Sequence, residues 1–155
     1  MSRSCRLAGL GLLLVGAAAC RDEAGVPPAV LRLMECIECS AGELTAVIAL
    51  GDTAVPALRA FLLDGPPAES VDRMRRRLVE LVGGATVSPA VGGTAVAVVD
   101  RQLGEYVGLY RSRAALGLGG VATASARAAL CAGQAAGLGP VVDSALVQVG
   151  GAPCP

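Results

Sequence analysis

The chain predicts an all-α fold, about six helices arranged as a short α-solenoid of helical hairpins. Three observations lead there. Apolar residues recur at helical spacing along most of the 155 residues. Ala, Gly, Val and Leu abound, and Phe61, Tyr106 and Tyr110 are the whole aromatic complement, so the core must come from closely packed small side chains, which favours helices. One helix–turn–helix design also occurs twice, in Leu50-Gly51-Asp52-Thr53-Ala54-Val55-Pro56-Ala57-Leu58 and in the stretch from Leu116 to Leu130. Matching Ala54 to Ala126 and Leu58 to Leu130 gives an offset of 72, or two units of 36. Paired helices at such a period mark an α-solenoid.

The first helix is expected from Pro28 to Glu38. Proline suits a first turn, and Val30, Leu31, Met34 and Ile37 form the apolar stripe. Ser40 with Glu43 three residues later has the capping-box form and opens a second helix, faced by Leu44, Val47 and Ile48 and stopped by Gly51. Asp52 or Thr53 is expected to cap a third, carrying Val55, Leu58, Phe61 and Leu62 and ended by Gly65-Pro66-Pro67. A fourth runs from about Glu69 to Val82, with Val71, Met74, Leu78 and Leu81 inward. Four glycines and Pro89 make residues 83–93 a loop. Val96, Val99, Leu103, Val107 and Tyr110 restore a helical stripe that continues to Leu118, against a competing short strand at Val87 or Thr94 to Val99, which are β-prone. Gly119-Gly120 is expected to turn the chain and Thr123 to cap a helix from Ala124 to Ala136. After a break at Gly137-Leu138-Gly139-Pro140, Val142, Leu146 and Val149 mark a last short helix.

The N-terminus carries information of a different kind. Arg3 and Arg6 precede an unbroken apolar and glycine run from Leu7 to Ala19, with Cys20 next. Thirteen helical residues rise about 20 Å, short of the roughly 30 Å hydrocarbon core, so a signal segment fits better than a span. Ala17, Ala18 and Ala19 before Cys20 resemble the lipobox of bacterial lipoproteins, which implies that Cys20 is lipidated and that the chain is held at the cell envelope, facing the periplasm, on the outer membrane by default. Ordinary cleavage after Ala19 and an uncleaved anchor are the alternatives. The organisation expected is a signal peptide at 1–19, a tether at 20–27, a helical domain at 28–151 and a tail at 152–155.

Loss of residues 1–19 takes Arg3 and Arg6 and leaves eleven Arg against thirteen acids. That slightly acidic balance gives no basic excess to follow a nucleic acid backbone. There is no His, which removes Ser-His-Asp and Cys-His nucleophile pairs and imidazole metal ligands. No catalytic residues, cofactor or small-molecule substrate are evident.

Cysteine is the remaining source of chemistry. Cys5 leaves with the signal, so Cys36, Cys39, Cys131 and Cys154 are the disulfide candidates in an oxidising compartment. Of three pairings, Cys36–Cys39 with Cys131–Cys154 is favoured, because the first pair is adjacent and the second ties the tail to a neighbouring helix. Cys36-Ile37-Glu38-Cys39 also fits a thiol–disulfide protein. Against that, the pair falls near a helix C-terminus beside Glu35 and Glu38, and all of these disfavour a thiolate. A zinc site needs a second close pair, which Cys131 and Cys154 do not make. Arg73, Arg75, Arg76 and Arg77 form a basic cluster; Arg73, Arg76 and Arg77 are candidates to bind an acidic partner. The alternative is a solvated face with Glu69–Arg73 and Asp72–Arg76 support. Tyr106 and Tyr110, one turn apart, either anchor a partner or pack in the core. Gly117-Leu118-Gly119-Gly120 reads as a helix-pair turn, since no Lys follows for a phosphate loop.

Arg113-Ala114-Ala115-Leu116-Gly117 with Val121, Thr123, Ala126 and Leu130, and the earlier Ala49-Leu50-Gly51-Asp52-Thr53-Ala54-Val55-Pro56-Ala57-Leu58, resemble HEAT repeats of the short bacterial kind. The match covers about half of the chain after residue 19; the unit from about Pro66 to Thr94 departs from it. The resemblance implies stacked antiparallel helix pairs that offer a groove to a protein partner and have no intrinsic catalysis. The expected role is a binding or scaffold module of the cell envelope, with a thiol–disulfide protein using Cys36 and Cys39 as the rival and a purely structural lipoprotein as a third reading.

Overall fold

A computed structural model of the chain describes residues 25–36, 38–84, 94–150 and 153–154. The expected export segment, Cys20, Ile37 and Val87 lie outside them. The elements are α1 (Pro28–Glu35), α2 (Ala41–Leu50), α3 (Val55–Asp64), α4 (Ala68–Gly84), α5 (Ala95–Val121), α6 (Ala124–Ala135) and α7 (Gly139–Gln148). A 3₁₀ turn at Gly51–Ala54 joins α2 to α3, making one helical run from Ala41 to Asp64. The described residues thus form six rods without a strand, and the all-α class with about six helices holds.

Topology is set by α5. Its 27 residues extend about 40 Å, and α1, α2, α3, α4, α6 and α7 all pack on it. The nearest-neighbour ladder of a solenoid is not shown by these contacts; a central rod collects the others. The repeat is nonetheless visible locally. Ala54, Leu58, Ala126 and Leu130 are all fully buried, and α3 packs beside α6. Asp52 in the first turn accepts a hydrogen bond from the Thr123 hydroxyl in the second. Asp52 therefore ties the two turns together and does not cap α3, whose N-cap is Ala54 without a side-chain bond.

Local chemistry explains the boundaries. Ser40 caps α2, its Oγ accepting from the Gly42 N–H at 3.2 Å and donating to the Glu43 carboxylate. The Ser40 hydroxyl, then backbone N–H groups and the nearby Arg32, hold the Glu43 carboxyl below its ordinary range. Thr94 and Thr123 cap α5 and α6 by accepting from Ala97 and Ala126 N–H groups. Thr94 to Val99 is therefore a capped helix start and not a strand. α1 stops at Glu35, three residues early, because Cys36 turns extended at φ −60°, ψ 135°. The run from Ala41 to Asp64 is long and apolar enough to cross a membrane, yet Val47, Ala54, Val55, Leu58, Phe61 and Leu62 are buried in the core.

Gly119 and Gly120 do not turn the chain. Both lie within α5, because bare Cα positions are needed where other helices approach. A Cβ on Gly120 would stand 2.9 Å from Ile48 of α2, and one on Gly119 would stand 3.2 Å from the Ala145 Cβ of α7. The turn falls at Ala122, the one non-glycine residue with positive φ (53°) among those described. A β-carbon there carries a left-handed penalty that glycine lacks. Ala122→Gly is expected to raise stability by about 0.5–1 kcal/mol, read as a higher urea midpoint.

Candidate interaction site on the helical arm

α4 packs antiparallel on the first half of α5. Val99 and Leu103 are buried along that seam but stand outside the main core cluster, whose α5 members begin further along, at Tyr106 and Tyr110. The two helices therefore form an arm with its own small apolar contact. Near its end lies a cleft of about 260 Å³ lined by Val79, Val82, Gly83, Ala95, Val96 and Val99, with Arg75 and Asp100 on the rim. Arg75 Nη1 meets Asp100 Oδ1 at 3.5 Å, and both side chains are more than half exposed. Such a pair contributes only about 0–1 kcal/mol, so it shapes the rim without holding the arm together.

The apolar stripe is displaced from the sequence expectation here. Leu81 and Val96, expected inward, are 62% and 68% exposed, and Val79 is 55% exposed. Two helices alone cannot cover one another all round, and among the described residues no third helix covers this end.

Arg73, Arg75, Arg76 and Arg77 point outward as expected. Neither Glu69–Arg73 nor Asp72–Arg76 forms, however: Arg73 donates to the Oγ of buried Ser70 at 2.9 Å. At about 100° per residue, Arg73, Arg76 and Arg77 lie round from the cleft-lining Arg75, on an exposed face shared with Glu69 and Glu80. The structure thus brings Arg75 to the cleft and leaves Arg73, Arg76 and Arg77 on a mixed-charge exposed face.

Tyr110 is not available to a partner. It is 3% exposed, and its ring meets Phe61 at 5.8 Å and Tyr106 at 5.1 Å, both edge to face. All three aromatics form one core cluster, with Tyr106 half-buried at its edge. Burial, then the hydrogen bond with Tyr106, pushes the Tyr110 hydroxyl well above its ordinary value of 10.0. The folded state resists ionisation, whereas the unfolded chain ionises near 10, so the resulting stability is complete below pH 10 and is lost as pH rises beyond it. The expected loss is roughly 1.4 kcal/mol per pH unit. Tyr110→Phe should remove that alkaline slope in denaturation midpoints measured between pH 9 and 11.

The structure pairs Cys36 with Cys39 (Cα–Cα 5.2 Å) and Cys131 with Cys154 (5.4 Å). Arg127 supports the second bridge, donating to the Pro153 carbonyl at 3.1 Å. The first sits just beyond α1, where Arg113 of α5 donates to the carbonyls of Met34 and Cys36. Arg111, two residues earlier, donates to Leu63 O near the C-terminus of α3 at 3.4 Å. These arginines satisfy helix-end carbonyls that otherwise lack partners. Sequence reasoning missed both, since Arg113 and its acceptors are 77 and 79 positions apart. The only local hint was that α3 has no basic residue in its own last turn. Among the described residues, no group of three His, Cys, Asp or Glu is placed to hold a metal ion.

Compared with known proteins, the chain matches no family model, no curated protein and no solved structure.

Proposed function

We propose that the protein is an exported, lipid-anchored helical module that binds a protein partner at the bacterial cell envelope and catalyses no reaction itself. The observation that carries this reading is the arm. It presents an apolar cleft of about 260 Å³ next to exposed Val79 and Val96, the kind of recess that accepts an anchoring side chain. The Leu7 to Ala19 run before Cys20 supports export and lipidation, and two disulfides suit an oxidising compartment. Orientation favours a protein partner over the bilayer. A chain anchored at Cys20 enters the fold through α1, which meets α5 near Gly117, about 30 Å along the rod from Val96.

The test has two parts. Intact mass of the native protein reports the cleavage point and acyl chains; a mass retaining Met1 rejects the anchor. A photocrosslinker at Val96, with Val147 on α7 as an equally exposed control, reports the partner. One envelope protein joined through the cleft and not through Val147 supports the reading. Lipid adducts, or none, defeat it.

A further inference from the structure

We propose that the Cys36–Cys39 disulfide is a site of thiol–disulfide exchange with a dithiol partner, distinct from the arm, whereas Cys131–Cys154 is a fixed brace. Four observations converge. Cys39 is exposed and Cys36 half-buried, so a thiolate reaches the Cys39 sulfur from solvent. The bridge closes a separation of only 3 residues, against 23 for the other, so it restrains the unfolded chain least. The fold does not lean on it, since α1 is seated by Val30, Leu33 and Met34, each essentially fully buried. Finally, the guanidinium of Arg113 bonds directly to the Cys36 carbonyl and to Met34 O. A helix C-terminus and the neighbouring Glu35 and Glu38 disfavour a thiolate; here a permanent cation sits on those same carbonyls and counters them.

In the exchange, a thiolate of the partner dithiol attacks Cys39 Sγ. The Cys36–Cys39 bond breaks, and its electron pair leaves on Cys36, which takes a proton from water. The partner's second thiol, having lost its proton to water, then attacks the partner sulfur of the mixed disulfide and releases Cys39 as a thiolate, which takes a proton from water. Two electrons and two protons have passed to Cys36 and Cys39, and the partner is left as a disulfide.

The chain with both bridges formed is equilibrated in glutathione buffers from oxidising to reducing, its thiols are trapped by alkylation, and each pair is counted by peptide mass spectrometry. Cys36–Cys39 is expected to open at a [GSH]²/[GSSG] ratio at least tenfold lower than Cys131–Cys154, with helical circular dichroism unchanged. Opening of both bridges together, or loss of helix as Cys36–Cys39 opens, overturns the proposal. In Cys36→Ser, Cys39 should hold one glutathione as a stable mixed disulfide; failure to form it overturns the assignment of Cys39 as the attacked sulfur. In the reduced protein, Arg113→Gln should slow alkylation of Cys36 at neutral pH at least threefold, with Arg113→Lys restoring it. A lower melting temperature with an unchanged alkylation rate would make Arg113 a cap alone and defeat its role in the exchange.

Discussion

Leu58→Ala is expected to lower stability by about 4 kcal/mol, roughly 15 °C in melting temperature for a domain of this size. Leu58 is fully buried where α1, α3 and α5 converge. A Cβ on Gly117 would stand 3.0 and 3.2 Å from the two Leu58 methyls and 3.4 Å from Leu33. Such a site has little room to collapse, so the cavity term adds to the lost transfer free energy. The same geometry predicts a partial rescue. Gly117→Ala alone gains about 1 kcal/mol of helix propensity but pushes Leu58 out of its packed position, for a net loss of about 1 kcal/mol. Combined with Leu58→Ala, the opposing methyls are gone, so Gly117→Ala keeps its propensity gain and its added methyl fills part of the void. The double variant should recover about 1–2 kcal/mol relative to Leu58→Ala, a coupling that a double-mutant cycle in urea resolves. Strict additivity would mean that α3 and α5 do not meet at this point.

Most of the helices were legible in the sequence because local chemistry decides them. Ser40 and Thr123 cap where a hydroxyl before an apolar run said they would, and Val55, Leu58, Phe61 and Leu62 are buried as their spacing predicts. What failed depends on contacts remote in sequence. Gly119-Gly120 looked like a turn because glycine disfavours helices by about 1 kcal/mol; only the approach of α2 and α7 shows why the helix keeps them. The outward arginines of α4 were legible from the stripe opposite them, whereas the cleft was not. It exists because α4 and the start of α5 pair beyond the reach of the other helices, leaving Val96 and Leu81 uncovered. Tyr110 was ambiguous for a related reason, since one aromatic stripe serves a core or a partner equally well until Phe61 is seen against it.

Gly133→Val is expected to cost about 3 kcal/mol, while Gly104→Ala should gain about 1 kcal/mol, although both glycines sit within helices. At Gly133 on α6, an added Cβ would stand 2.8 Å from a Leu62 methyl and 3.1 Å from a Val142 methyl. Both side chains are fully buried, so neither can swing into solvent, and a β-branched residue brings two further methyls into that space. At Gly104 on α5, nothing lies within 4 Å, and the only effect left is the backbone entropy that alanine saves. The opposite signs follow from spacing: α3 and α7 approach α6 as closely as a bare Cα permits, whereas one side of the arm faces water. Urea denaturation of the two variants measures this directly. If Gly133→Val stayed within about 1 kcal/mol of the parent, α6 would have room to move away from Leu62 and Val142 at little cost. A loss of stability in Gly104→Ala would mean that another surface packs on the arm at that position.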